Sequence, residues 1–457
     1  MNAPLPDRSQ LQIARELFSL AWPIIGINVL QVAALAVDTA MVGRLPEAEA
    51  GLTGLGYAGQ IAFLLMVAMI GLTVGTIALV ARAHGSGHDE RVDHIFHQST
   101  QLTIALGIAV AVVGNATAVP ILWILGADEP AMEAGLAYLR PLLLGTAFNY
   151  LNILFAAILR GLGNTRLAFQ VALLMNGLNV VINYALILGN WGFPSLGLTG
   201  AAIGTVLSQG IAAATMFALL RRGAIRGLRP TLELRPLDRA LAGKLFAIGW
   251  PAALDMVVFN ASFLSIIGML GRIDQAAVAA HAIGLRVQAL AFVPGMSISQ
   301  ATGALVGQAL GAGHPREARR VLRASVVMSL AVMTTLTAIL VGLAEPVIAV
   351  FGVDPSSDLG QFAVTWLKLL GYGMPIAGAY ISFVGLFQGA GQTRAPLAIN
   401  SVAHLVFQVP LSWILGFPLG LGAWGVWAAF PLSFVLKLAA GFVVYRTGRW
   451  AKVGADV

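Results

Sequence analysis

Two carboxylates stand where an ionised group is costly. Asp38 and Asp255 are the only acids well inside the long apolar stretches of this 457-residue chain. In hydrocarbon a carboxylate has to face a cavity or pair with a partner, and it can shed its charge by taking up a proton. The chemistry on offer is therefore reversible: protonation, or binding of a cation in the proton's place. Amides accompany the acids at helical spacing. Asn28, Gln31 and Asp38 share one side of a helix, Asn176, Asn179 and Asn183 form a second stripe, and Asn149 and Asn152 a third. If the stripes converge, they enclose a polar pocket around one titratable group. Asp38, Asn176, Asn179 and Asn183 are then the candidate cation-coupling residues. Asn28, Gln31, Asn149, Asn152 and Asp255 are the candidate cavity or substrate residues.

Each signal has a plainer counterpart. Membrane asparagines often serve as packing glue between helices. Asp255 can instead form a structural ion pair with Arg286 or Lys368. His281 and His404 read as hydrogen-bonded packing histidines. His84, His88, His94 and His97, mixed with Asp89, Glu90 and Asp93, read as the solvated face of a loop rather than a metal site. No catalytic residue, metal ligand or cofactor is expected, and an intramembrane enzyme lacks its acid/base cluster. The chain has no cysteine, so thiolate chemistry is also absent.

The elements that must position these groups follow from composition. The chain is 58% hydrophobic and 10% charged, with a mean hydropathy of +0.84, whereas a soluble domain carries about 25% charged residues. The bilayer is its solvent. Apolar stretches of membrane-spanning length give twelve helices, at about 15–42, 51–82, 98–118, 134–160, 166–189, 197–221, 240–271, 276–310, 320–344, 361–388, 394–416 and 421–446. Of 27 basic residues, 21 fall in one alternate set of loops and termini. By the positive-inside rule both termini and the 222–244 linker are cytoplasmic, in a multi-pass inner (cytoplasmic) membrane protein. The net charge of +7 is thereby topogenic, and no nucleic-acid partner is expected. Asp38, one turn or about 6 Å before the end of its helix, belongs to the outward part of the membrane. Pro294, Pro375 and Pro410 are expected to bend their helices, and Gly71, Gly75, Gly303 and Gly307 to allow close helix approach.

The chain also repeats itself. Leu17-Phe18-Ser19-Leu20-Ala21-Trp22-Pro23 returns 228 positions later as Leu245-Phe246-Ala247-Ile248-Gly249-Trp250-Pro251, and Met41-Val42-Gly43-Arg44 as Met269-Leu270-Gly271-Arg272. Six spans per half give both halves one orientation. The expected fold is an all-α integral membrane protein with two six-helix lobes related by a pseudo-twofold along the membrane normal. The expected division is an N-lobe at 1–221, a linker at 222–244 and a C-lobe at 245–457. Register matching places Ile266 and Leu411 opposite Asp38 and Asn183, so the polar pocket is expected in the first half alone.

At Trp22-Pro23, Val37-Asp38-Thr39-Ala40-Met41-Val42-Gly43, Ala304–Gly313 and the paired Arg160–Arg166 and Gln388–Arg394 loops, the chain resembles the multidrug and toxic compound extrusion (MATE) family over its full length. The resemblance implies a cation-coupled antiporter that exports amphipathic, often cationic, drugs by alternating access. It is closest to the DinF-like branch, in which the helix 1 aspartate is the coupling acid. Asp38 then carries the coupling, with the proton favoured over sodium. NorM-like members carry acids on helices 7 and 10; here Asp255 lies one turn early and helix 10 has no acid. Asn183 also stands where DinF-like members often have a second acid. The expected partners are small amphipathic molecules and the bilayer, with the protein acting as a monomer. A sodium-coupled exporter and a lipid or oligosaccharide flippase are the alternatives. A flippase is expected to show a cationic groove, whereas only Arg140, Arg286, Lys368 and Lys437 lie near spans. The loop at His84–His97 does not match the Gly/Asp/Arg-rich loop of major-facilitator transporters.

Overall fold

Backbone N–H and C=O groups in a bilayer find no water, so this chain satisfies them within helices. A computed structural model describes residues 8–45, 48–225, 228, 230–231, 233 and 235–452, and no strand occurs among them. The first half contributes α1 (Gln10–Val42), α2 (Ala48–Gly85), α3 (Asp89–Ile124), α4 (Glu129–Leu144), α5 (Thr146–Gly161), α6 (Thr165–Leu188) and α7 (Gly197–Arg221). The second contributes α8 (Arg239–Gly271), α9 (Gln275–Gly311), α10 (Pro315–Gly342), α11 (Ala344–Ala349), α12 (Asp358–Gly389), α13 (Arg394–Ser401), α14 (Val409–Gly416) and α15 (Gly422–Arg446). Among the described residues, eleven helical runs are long and apolar enough to cross a membrane, and α4 with α5 supplies a twelfth. The protein is an all-α integral membrane protein.

Two spans depart from the expected continuous helix. The fourth is broken between α4 and α5, which meet at 55°. Pro141 weakens the last turn of α4 by removing a backbone donor. At Gly145 a Cβ would collide with Val206 of α7, so the bend lets α7 approach the backbone. The eleventh span opens into a π-helical turn at Val402–Gln408 between α13 and α14. Pro410 follows just inside α14, where its missing N–H cannot bond back into the preceding turn. By contrast, α9 and α12 run through Pro294 and Pro375 as continuous helices.

By packing, the chain forms two units. One runs to Ile25 and resumes from Pro251 to the C-terminal end, and the other extends from Gly26 to Trp250. The borders fall inside α1 and α8, beside Pro23 and Pro251, whereas the expected 1–221, 222–244 and 245–457 division follows the sequence repeat. In the first unit Ile13, Leu17 and Ile24 from the start of α1 are buried with Ile298, Val306, Leu322 and Phe387. In the second, the start of α8 lies against α2. A Cβ on Gly75 would fall 2.7 Å from the Leu245 carbonyl, and one on Gly249 would collide with Gly71. Small residues thus bring these helices into backbone contact. Gly389 meets Gly303 in the same way between α12 and α9.

Candidate functional site

In the Gly26–Trp250 unit, Asp38 and Asn183 meet. The Asn183 amide donates from Nδ2 to Asp38 Oδ1 at 2.7 Å. Asp38 lies in the last turns of α1 and is half-buried, while Asn183 on α6 is fully buried. Gly204 of α7 leaves room for the amide, because a Cβ there would strike Asn183 Oδ1. Toward the C-terminal end of α1, Val42, Ile187, Leu198 and Ala201 pack with Met41, Leu45 and Tyr138. Tyr138 on α4 also interacts electrostatically with Asp38, a neighbour no sequence stripe announced. The result is one accessible carboxylate held by one buried amide beneath an apolar collar.

The rest of the predicted set divides. Asn179 donates to Thr205 Oγ1 at 3.1 Å, tying α6 to α7. Asn176 donates back to the Ala172 carbonyl of its own helix at 2.7 Å, and Asn152 donates to Phe148 and Gln209 carbonyls. The Asn179 and Asn152 bonds tie helices together, whereas the Asn176 bond stays within α6. Asn149 is half-buried, Gln31 is exposed and Asn28 is half-buried. Two buried acceptors, Asn179 Oδ1 and Asn183 Oδ1, receive no donor within the protein.

The other unit corrects the expectation that the polar pocket was not duplicated. Asn400 Nδ2 donates to both Asp255 oxygens at 2.9 Å, and Tyr380 Oη donates to Asn400 Oδ1 at 2.8 Å. Lys437, rather than Arg286 or Lys368, is the cation that interacts with Asp255. Lys437 Nζ lies 2.8 Å from His404 Nε2, and His404 Nδ1 lies 2.9 Å from Gln408 Oε1. Asn400 begins a stripe with His404 and Gln408 at i, i+4 and i+8 that the sequence reading left unassembled, whereas Tyr380 has no such stripe. A second correction concerns His281. It is fully buried against Phe263, Trp366, Trp427 and Phe430, but neither ring nitrogen has a hydrogen-bond partner within the protein. It packs as an aromatic.

The histidine-rich loop has a structural task. His94 Nε2 pairs with Asp238 Oδ2 at 3.0 Å, and Arg235 with Asp93 at 3.3 Å. Gln98 donates to the Pro236 carbonyl and accepts from Asp238 N–H. Together they stitch the segment before α8 to the start of α3. Asp238 also caps α8, accepting from the Leu241 and Ala240 backbone N–H groups. The Leu241 N–H, then His94 and the Ala240 N–H, hold this exposed carboxyl below its ordinary pKa. Among the described residues, no group of three or more His, Cys, Asp or Glu converges to hold a metal ion.

Comparison with known proteins places this geometry. The MatE family model matches residues 23–185 and 251–414, one stretch in each half. A probable multidrug resistance protein NorM of Thermotoga maritima is 27% identical over 448 residues, covering 98% of this chain and 95% of the relative. A probable multidrug resistance protein NorM of Deinococcus radiodurans is 30% identical over 460 residues, covering 97% and 98%. A crystal structure of MATE in the bent conformation superposes with a TM-score of 0.88 at 22% identity, covering 98% of both chains. At that identity the superposition speaks for the fold.

Proposed function

This chain belongs to the multidrug and toxic compound extrusion family, and from that premise we propose that it is a proton-coupled antiporter exporting amphipathic, often cationic, molecules. It works as a monomer in the cytoplasmic membrane with both termini inside, in the manner of the DinF-like branch. The two six-span halves alternate access around the substrate path. The observation that carries the reading is the Asp38–Asn183 pair: a lone, half-buried carboxylate near the outer end of α1, gripped by one buried amide.

The mechanism follows from charge. Ionised Asp38 attracts a cationic substrate and accepts the Asn183 N–H bond, which is stronger for being charge-assisted. A proton arriving from outside neutralises the acid and removes the attraction, so the substrate leaves. The neutral acid also brings a donor to an amide whose oxygen has none. Release of the proton inward restores the charge. An inward proton crossing a potential of about 100 mV contributes roughly 2.3 kcal/mol per charge, enough to bias the cycle.

A sodium-coupled reading is favoured by one observation, the undonated oxygen of the Asn183 amide that holds the acid, since hard cations prefer oxygen ligands. The experiment is proton release by purified protein in weakly buffered solution on addition of a lipophilic cation. The proton reading expects release by wild type and none by Asp38→Asn. Release unchanged in the variant would refute it. Sodium-dependent substrate binding without proton release would favour sodium.

A further inference from the structure

The two halves share a feature that register matching hides. Asp38–Asn183 and Asp255–Asn400 both join the first helix of a half to its eleventh-span or fifth-span counterpart, with the same separation of 145 residues. At the 228-residue repeat offset, Asp255 and Asn400 lie eleven residues before Ile266 and Leu411 on their respective helices. Eleven residues is about three turns, so the same faces meet about 16 Å further along. Asp255 consequently occupies the midpoint of α8, the most expensive depth for a charge.

What neutralises it differs between the units. Around Asp255, α12 contributes Tyr380, α13 Asn400, the π turn His404 and Gln408, and α15 Lys437. Lys437 is 5% exposed and His404 7%, so the ammonium is built into the unit. Its Nζ lies 2.8 Å from His404 Nε2, and His404 Nδ1 lies 2.9 Å from Gln408 Oε1, an oxygen that can only accept. In the tautomer that donates from Nδ1 and accepts at Nε2 the imidazole is neutral, and Lys437 is the donor. The π turn sets His404 and Gln408 in this line; such turns are often found at functional sites. Phe434 adds its ring 5.5 Å from Nζ. The Asn400 amide turns its N–H2 to the carboxylate, and its oxygen is occupied by Tyr380. Asp255 is therefore surrounded by donors and one tethered positive charge, with no direct ion pair to Lys437.

We propose that Lys437 is a resident counter-cation that substitutes for a bound monovalent metal ion at Asp255 and so excludes sodium from this unit. The inference builds on the ion-coupled reading above, but its test measures binding and does not pass through transport. Radiolabelled sodium is titrated onto purified protein at constant ionic strength. Wild type and Lys437→Arg, which keep the positive charge, are expected to bind no more sodium than Asp255→Asn. Lys437→Met is expected to bind at least about tenfold tighter, because a like charge no longer opposes the ion, and the added Asp255→Asn change is expected to abolish that gain. Asp255-dependent sodium binding by wild type overturns the proposal, as does a folded, monodisperse Lys437→Met protein that binds no more than wild type. If Lys437→Met does not fold, Lys437→Gln replaces it under the same criteria.

Discussion

At the scale of residues, the site depends on a fit around one amide. Asn183 is buried, its nitrogen is engaged by Asp38, and its oxygen lies against Gly204. A methyl group at Gly204 must displace the amide, because α6 and α7 are packed closely there. Gly204→Ala is accordingly expected to lower stability by about 1–3 kcal/mol, the usual range for overpacking, and to depress export with it. Gly177→Ala on α6 is the matched control. It faces open space, and the better helix former contributes about 0.5–1 kcal/mol. Thermal unfolding of both variants in detergent checks the contrast; equal melting temperatures would mean that Asn183 is not held as described.

At the scale of elements, the start of α8 is secured by Asp238, which caps the helix and pairs with His94. Its pKa is lowered in the folded protein. The sign follows from linkage: a depressed carboxyl contributes stability that is present above the unfolded value of 3.8 and is lost as pH falls through the folded value. Amide hydrogen exchange at residues 240–242, normalised to intrinsic rates, is thus expected to stay protected on mild acidification and to lose protection only below the ordinary carboxylate range. Asp238→Ala is expected to show reduced protection already at neutral pH, and unchanged protection would contradict the capping role. The same elements show what sequence could not carry. The break at Gly145 needs Val206 from another helix, and the packing borders inside α1 and α8 need backbone contacts such as Gly249 with Gly71.

At the scale of the whole molecule, the class and most spans were legible because hydrophobicity and basic loops obey bilayer physics independently of packing. Asp38 and Asn183 were legible too, since one is a lone acid and the other ends a helical stripe. The Asp255 network was not. Asp255 and Asn400 lie eleven positions out of register with the first pair, so the repeat offset does not bring the Asn400, His404 and Gln408 stripe to Asp255, and Tyr380 stands alone in apolar sequence. A duplicated scaffold here carries two acid–amide pairs at different positions along their helices, one held by Asn183 alone and one joined by Asn400 with Tyr380 behind it. Under the proposed function, coupling belongs to the first. The most direct measurement is dye export by reconstituted proteoliposomes under an imposed pH gradient without sodium, comparing wild type with Asp38→Asn. Gradient-driven export by wild type, with the variant at the background of empty liposomes, is the expected result. Full export by Asp38→Asn, or wild-type export driven only by a sodium gradient, would contradict it.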